Sequence, residues 1–212
     1  MNKETIDYYN KNADEYAQST INLDTSDLHK EFTKGIPAGG KILDAGCGSG
    51  RDLIAFKNLG FNVQGMDASK ELVEIAKNNS GVKVEHKDFS EISWKGEFDG
   101  VWCMASLLHL NKEELKSTLL KIADSMKEGG KIYASFKSGE GESSDPKGRF
   151  FSYYTIPELS KIIEDSKLFG DVKLYHGADK QGREDTQWIN LLANRETPKP
   201  KSENKRKFKN GM

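Results

Sequence analysis

The chain has 212 residues, 32 Lys and Arg against 33 Asp and Glu, a formal net charge of −1, and 35% hydrophobic residues. That length predicts one domain with a core of its own, and the balanced charge excludes a bulk field for polyanions. Two cysteines without a C-x-x-C pair exclude a disulfide framework and a zinc site, so no metal is expected.

No stretch approaches the roughly 20 apolar residues of a membrane span. The Met1–Thr5 start lacks a basic-then-apolar leader, which makes a cytoplasmic protein without membrane contact the expectation. Residues 4–18 place Ile6, Tyr9, Ala13, Tyr16 and Ala17 at helical spacing, with Tyr8 beside them. A second helix is expected over Asp24–Lys34, stopped by Gly35, Pro37, Gly39 and Gly40. Residues 1–40 thus read as an N-terminal helical unit ahead of the main domain.

The next stretch carries the most information. Ile42 and Leu43 form a short buried strand, three glycines follow at alternate positions (Gly46, Gly48, Gly50), and Leu53, Ile54, Phe56 and Leu59 recur at helical spacing. Strand, glycine-rich turn, helix is a ligand-binding arrangement, because glycine leaves no Cβ between turn and ligand and the helix's first N–H groups lack partners. A dinucleotide turn spaces its glycines G-x-G-x-x-G; this one is G-x-G-x-G with Asp44 in front. Asp44 repels a pyrophosphate and attracts a cationic amino group or sulfonium. The alternative is a tight turn with no ligand.

The second strand, Phe61–Met66, ends at Asp67, about 20 residues past Gly46, where a carboxylate can accept hydrogen bonds from ribose hydroxyls. Asp67 could instead cap the helix from Ala68, but Ser69 is the better N-cap. The third strand, Val82–Lys87, leads to Asp88-Phe89. The fourth, Phe98–Cys103, feeds the loop Met104–Leu110, and strand ends of this kind are where open α/β sheets place ligands. Cys103 reads as a small apolar strand residue. His109 is either a base that takes a proton from an acceptor or a residue packed between Leu108 and Leu110.

Asn111 and Glu114 make a capping-box start to a helix with Leu115, Leu119, Ile122 and Met126 on one face and Gly129-Gly130 at its end. The fifth strand is Lys131–Phe136. A polar loop, Ser138–Gly148, precedes Arg149, Phe150, Phe151, Tyr153 and Tyr154 and then a helix start at Thr155. Val172–His176 and Gln187–Ala193 are two strands with no helix between them. A basic tail, 197–212, lacks apolar periodicity and reads as disordered, with a weak grip on RNA as the alternative to a solvated terminus.

From Lys41 to about Arg195 the chain resembles the class I S-adenosylmethionine-dependent methyltransferases, whose first motif is an acidic residue and G-x-G-x-G after the first strand. The look within the family is closest to the small enzymes of the tellurite-resistance or ubiquinone-biosynthesis type. The resemblance implies an α/β fold: a doubly wound, mostly parallel seven-stranded sheet of order 3-2-1-4-5-7-6, its last hairpin antiparallel, helices on both faces and an N-terminal helical lid. It implies S-adenosylmethionine as cofactor and S-adenosylhomocysteine as product. Asp44, Gly46, Gly48 and Gly50 would hold the methionine end, Asp67 with Ala68 the ribose, and Asp88 with Phe89 the adenine. Cys103 and Met104 would floor the methyl site. Tyr9, Ala13 and Tyr16 fit the family's Y-x-x-x-A-x-x-Y covering segment, which puts Tyr16 over the cofactor and Tyr9 towards the acceptor. The insert after the fifth strand would border the acceptor, with Arg149 pairing an anionic group and Tyr153 in an aromatic wall. His109 lies where such enzymes often carry a histidine near the acceptor.

The Asn/Asp-Pro-Pro-Tyr/Phe run of base and glutamine methyltransferases is missing, and Cys103 follows Trp102 rather than a proline as in pyrimidine-carbon enzymes. With no appended recognition domain and no strong basic face, the expected acceptor is a small molecule, methylated on O, N or S by in-line displacement, by a monomer or weak dimer. A tRNA methyltransferase using the tail, a non-catalytic cofactor-binding module and a nucleotide-dependent dehydrogenase are the competing readings.

Overall fold

The computed structural model describes residues 1–196. The basic tail from 197 onward lies outside them. Three helices come first: α1 (Lys3–Lys11), α2 (Ala13–Thr20) and α3 (Ser26–Thr33). The single helix expected over 4–18 is broken at Asn12, whose φ of −114° and ψ of 23° are not helical. The break turns α2 so that Ala13 and Ala17 are buried while Tyr9 and Tyr16 still meet edge to face, 5.1 Å between ring centroids.

The sheet is built from β1 (Lys41–Ala45), β2 (Asn62–Asp67), β3 (Lys83–His86), β4 (Phe98–Cys103) and β5 (Met126–Ser138), with β8 (Phe169–Gly177) and β9 (Trp188–Arg195) at one edge. β3, β2, β1, β4 and β5 are parallel neighbours in that order; β9 pairs antiparallel with β5 and β8 antiparallel with β9. This is the expected order, closing hairpin included. Helices α4 (Arg51–Asn58) and α5 (Lys70–Ser80) lie with α3 over one face. Helices α6 (Lys112–Ser125) and α7 (Ile156–Ser166) lie over the other. Both faces being covered, the central strands are apolar on both sides. Leu43, Val101 and Ile132 point into one core, and Ile42, Trp102 and Tyr133 into the other, where the last two rings stack 4.0 Å apart.

Two boundaries differ from expectation. Helix α6 ends at Ser125 rather than at Gly129-Gly130, and Met126, which sits four residues after Ile122 and so fits the helical stripe, opens β5 opposite Phe98. Pairing to a neighbouring strand overrides local periodicity here. The polar insert is not a loop throughout: β6 (Glu142–Ser144) and β7 (Phe150–Tyr154) form a hairpin, and β7 continues the sheet beside Lys137 and Ser138 at the end of β5. No described helix is long and apolar enough to cross a membrane.

Candidate active site

The three glycines after β1 all hold left-handed backbone, with φ of 85°, 53° and 83°, and each is needed for a different reason. A Cβ on Gly46 would stand 2.4 Å from Ser106 Cβ; one on Gly48 would stand 3.2 Å from the Tyr16 ring; one on Gly50 would stand 3.0 Å from the Ala76 backbone. Gly46 lets the turn meet the loop after β4, Gly48 lets the first helices close over the turn, and Gly50 lets α4 pack on α5. The N–H groups of Gly46 and Cys47 both donate to the Met66 carbonyl, at 2.8 and 3.0 Å, and fasten the turn to β2.

Beneath the turn lies a buried ionic knot. The Asp52 carboxylate accepts from Arg51 Nε and Nη2 (2.9 and 2.6 Å), His29 Nε2 (2.8 Å), Trp102 Nε1 (2.9 Å) and Thr25 Oγ1 (3.2 Å). Burial opposes its ionisation, but Arg51 and the hydrogen bonds outweigh burial and hold its carboxyl well below the usual range. Asp44 is the contrast. It is 2% exposed, its Oδ2 has no hydrogen-bond partner, and burial followed by the like charge of Asp52 pushes its pKa well up. Arg51 being taken by Asp52, Asp44 has no counterion among the described residues.

Asp67, at the tip of β2, accepts the Gly48 N–H on Oδ2 and the Ser69 N–H on Oδ1, each at 2.9 Å, and Ser69 itself caps α5. Each carboxylate oxygen keeps a second lone pair. Asp88 serves as the N-cap of a helical turn over Phe89–Glu91, accepting the Ser90 N–H at 2.8 Å, with its other oxygen 3.2 Å from the Met1 amino group. A cleft of about 460 Å³ is lined by Gly46, Gly48, Asp67, Ala68, Phe89 and Ser106. Asp44, Gly50 and Asp88, expected to hold the cofactor, do not line it.

A second, larger cleft of about 1670 Å³ opens beside the first. Tyr133, Ser135 and Lys137 from β5 and Trp188 and Asn190 from β9 form its floor, and Tyr8, Tyr9 and Tyr16 its roof. Tyr9, Tyr16, Ala105 and His109 line both clefts. Ala105 holds an uncommon left-handed conformation, φ 51°, and its N–H donates to Ser135 Oγ at 2.8 Å. Strain of this kind collects where chain geometry is set by function.

His109 stands on a helical turn over Leu107–His109 and is 4% exposed. Its Nδ1 lies 2.7 Å from the Phe150 carbonyl, which only accepts, so Nδ1 carries the hydrogen. Nε2 then has a free lone pair and accepts the Tyr9 hydroxyl hydrogen at 2.9 Å. Burial pushes the His109 pKa down to about 4 and pushes the Tyr9 pKa up, so both are neutral near pH 7.

Cys103 is fully buried and lines neither cleft; its side chain faces the core, as the alternation of β4 requires. Met104 lines the larger cleft with its sulfur 3.0 Å from Arg51 Nη2. Arg149 also lines it, but its guanidinium is held by Asp145 at 2.9 and 2.7 Å and covers the Tyr8 ring at 4.9 Å. Tyr153 stands outside the cleft, against Gly139. Sequence reasoning missed the Asp52 knot, the Tyr9–His109 pair and Lys137. The knot joins residues from the start of α3, the first turn of α4 and β4, and the pair is 100 residues apart, so no local pattern signals either. Among the described residues no group of three or more His, Cys, Asp or Glu is placed to hold a metal ion.

Residues 42–130 match the family model described as a methyltransferase domain. A ubiquinone biosynthesis O-methyltransferase of Xanthomonas axonopodis pv. citri is 34% identical over 106 residues, which are 47% of this chain and 44% of that protein. The chain thus spans less than half the length of that curated relative. Among solved structures, the 1,6-didemethyltoxoflavin-N1-methyltransferase of Burkholderia thailandensis superposes with a TM-score of 0.73 at 19% identity, over 91% of this chain and 85% of that one. A TehB-like S-adenosylmethionine-dependent methyltransferase of Corynebacterium glutamicum superposes with a TM-score of 0.66 at 20% identity, over 88% and 99%. At such identities the two structures speak for the fold. The matched segment covers the glycine turn, the carboxylate at the tip of β2 and the whole of β4, so this part of the chain resembles a methyltransferase domain and the fold is the one that the two solved methyltransferases share.

Proposed function

We propose that this chain transfers a methyl group from S-adenosylmethionine to the O, N or S atom of a small-molecule acceptor. The observation that carries the reading is the orphaned Asp44 carboxylate beneath a glycine turn that three left-handed backbones hold open. A buried carboxylate without a counterion fits a ligand that brings a cationic amino group, and Asp67 has the lone pairs to accept from ribose hydroxyls. Phe89, 4% exposed and lining the smaller cleft, supplies an apolar face for a base. When bound, the cofactor supplies a methyl group already activated by its sulfonium.

What remains for the protein is alignment, exclusion of water and disposal of one proton. Tyr16 and Tyr9 roof the passage between the clefts. The Tyr9 hydroxyl donates to His109 Nε2, which leaves its oxygen lone pairs to accept the acceptor's O–H, N–H or S–H. As the new bond forms, that proton becomes strongly acidic. Even a histidine held near pKa 4 then takes the Tyr9 proton while Tyr9 takes the acceptor's, and the Phe150 carbonyl steadies the imidazolium through Nδ1.

Calorimetry with S-adenosylmethionine, S-adenosylhomocysteine and NAD side by side tests the donor, and a screen of phenols, amines and thiols for S-adenosylhomocysteine release tests the transfer. Micromolar binding of the first two and none of NAD is expected. Binding of NAD alone overturns the reading.

A further inference from the structure

The larger cleft is ringed by cations, and their partners separate them. Arg51 is paired with Asp52 (2.6 Å), Arg149 with Asp145 (2.7 Å), Lys180 with Asp27 (2.8 Å) and Arg183 with Asp179 (2.6 Å). Lys147 and Glu15 lie exposed at the rim with opposite charges. That leaves Lys137, half-buried on the floor, with no carboxylate at ion-pair distance among the described residues.

Its position is built rather than incidental. β5 alternates Tyr133, Ser135 and Lys137 onto the cleft while Phe136 faces the core. At Lys137 the strand is paired on both sides, with Tyr153 of β7 and Trp188 of β9, which fixes its backbone. The ammonium sits 3.6 Å from the Phe151 ring centroid, and the same ring lies 4.8 Å from the His109 imidazole. Lys137 and the Tyr9–His109 pair thus border the same Phe151 ring. Burial, then the neighbouring Arg149 and Arg183, push the Lys137 pKa down, as befits a cation lacking a counterion; the acidic groups that face it, Asp145 and Asp179, are those already held by the two arginines.

We infer that Lys137 selects the acceptor, and that the molecule methylated here is an aromatic anion small enough for its acidic group to reach Lys137 while the atom that receives the methyl meets the Tyr9–His109 pair. The anion would sit on Lys137, the ring among Tyr133, Phe151 and Trp188, and the accepting atom against Tyr9. This specificity rests on the methyltransferase reading for the identity of the accepting atom, but the anion site does not depend on the donor.

The test is calorimetry with a matched pair of probes, 4-hydroxyphenylacetate and its neutral amide, on the full chain with and without S-adenosylhomocysteine. A charge-assisted contact in a half-buried site predicts about tenfold tighter binding of the anion. Lys137→Met abolishes the preference and Lys137→Arg keeps most of it, while S-adenosylhomocysteine binds all three chains alike. Equal binding of the two probes, or a preference that survives Lys137→Met, overturns the inference. Failure of S-adenosylhomocysteine to bind any of the chains refutes the donor reading instead, and the preference is then read from the titrations without it.

Discussion

Replacing Asp44 with Asn should move stability and affinity in opposite directions. In the ligand-free chain the Asp44 carboxylate is buried, has an oxygen without a partner and feels the like charge of Asp52. An unsatisfied buried polar group costs about 1–3 kcal/mol and a charged one more; the Asn amide keeps the first cost and sheds the excess due to charge, which is of the same order. For a chain of this size each kcal/mol is worth roughly 2–4 °C, so Asp44→Asn should melt about 2–12 °C higher without ligand. The pH dependence has a definite sign. A carboxyl whose folded-state pKa is raised holds its proton more tightly folded than unfolded, so its penalty is absent in acid and grows as pH rises above the unfolded carboxylate value. The two melting curves should therefore converge at low pH and part towards neutrality. Binding runs the other way: losing a charge-assisted contact to the cofactor's amino group costs about 1.5–3 kcal/mol, roughly tenfold to a hundredfold in Kd for S-adenosylhomocysteine. Scanning calorimetry across pH and titration calorimetry at neutral pH read the two effects. A variant that melts lower without ligand, or binds S-adenosylhomocysteine as the parent does, refutes the assignment of Asp44 as an orphan awaiting a cation.

His109→Gln should flatten part of the acid unfolding profile. A histidine depressed from 6.5 to about 4 in the folded chain costs stability as pH falls through that window, by about 3 kcal/mol at most, measured by denaturant titration between pH 4 and 7. Tyr9→Phe should leave the fold in place by circular dichroism but lower kcat on any identified hydroxyl acceptor by about 10²-fold or more, with S-adenosylhomocysteine affinity little changed. Gly46→Ala combines φ 85° with a Cβ 2.4 Å from Ser106, and should cost roughly 2–5 kcal/mol in urea unfolding. Asp52→Ala leaves Arg51 as a buried, unpaired cation and should cost about 3–5 kcal/mol in the same assay.

Much of the scaffold was legible in the chain because its signals are local. Strand, glycine turn and helix follow one another within Ile42–Leu59, and two terminal strands without a helix between them can only close as a hairpin. Where the reading failed, a partner distant in sequence decided. Met126 looks helical until Phe98 is set beside it, and the Ser/Glu-rich insert looks like loop until Phe150–Tyr154 finds the end of β5. The candidate site divides in the same way. Gly46, Gly48, Asp67, Ala68, Phe89, Tyr16 and Met104 come to the clefts from motifs readable one at a time. Arg149 looked like an available cation because an i, i+4 pairing with Asp145 across a turn has no distinctive pattern, whereas Lys137 fell between the expected strand end at Phe136 and the polar loop from Ser138.

The first two helices are fastened at scattered polar points: Phe150 N–H to Thr5 Oγ1 (2.9 Å), Tyr9 to His109 (2.9 Å), Ser69 to Asn10 (2.8 Å) and Thr20 to Ser49 (3.1 Å). These bonds lie among buried Thr5, Ala13, Ala17 and Thr20, so lifting the two helices would expose packed groups as well as polar ones. Because Tyr9 and Tyr16 of these helices line both clefts, moving the helices would open the two compartments together. Under the proposed function, spent donor and methylated product would then share one way out.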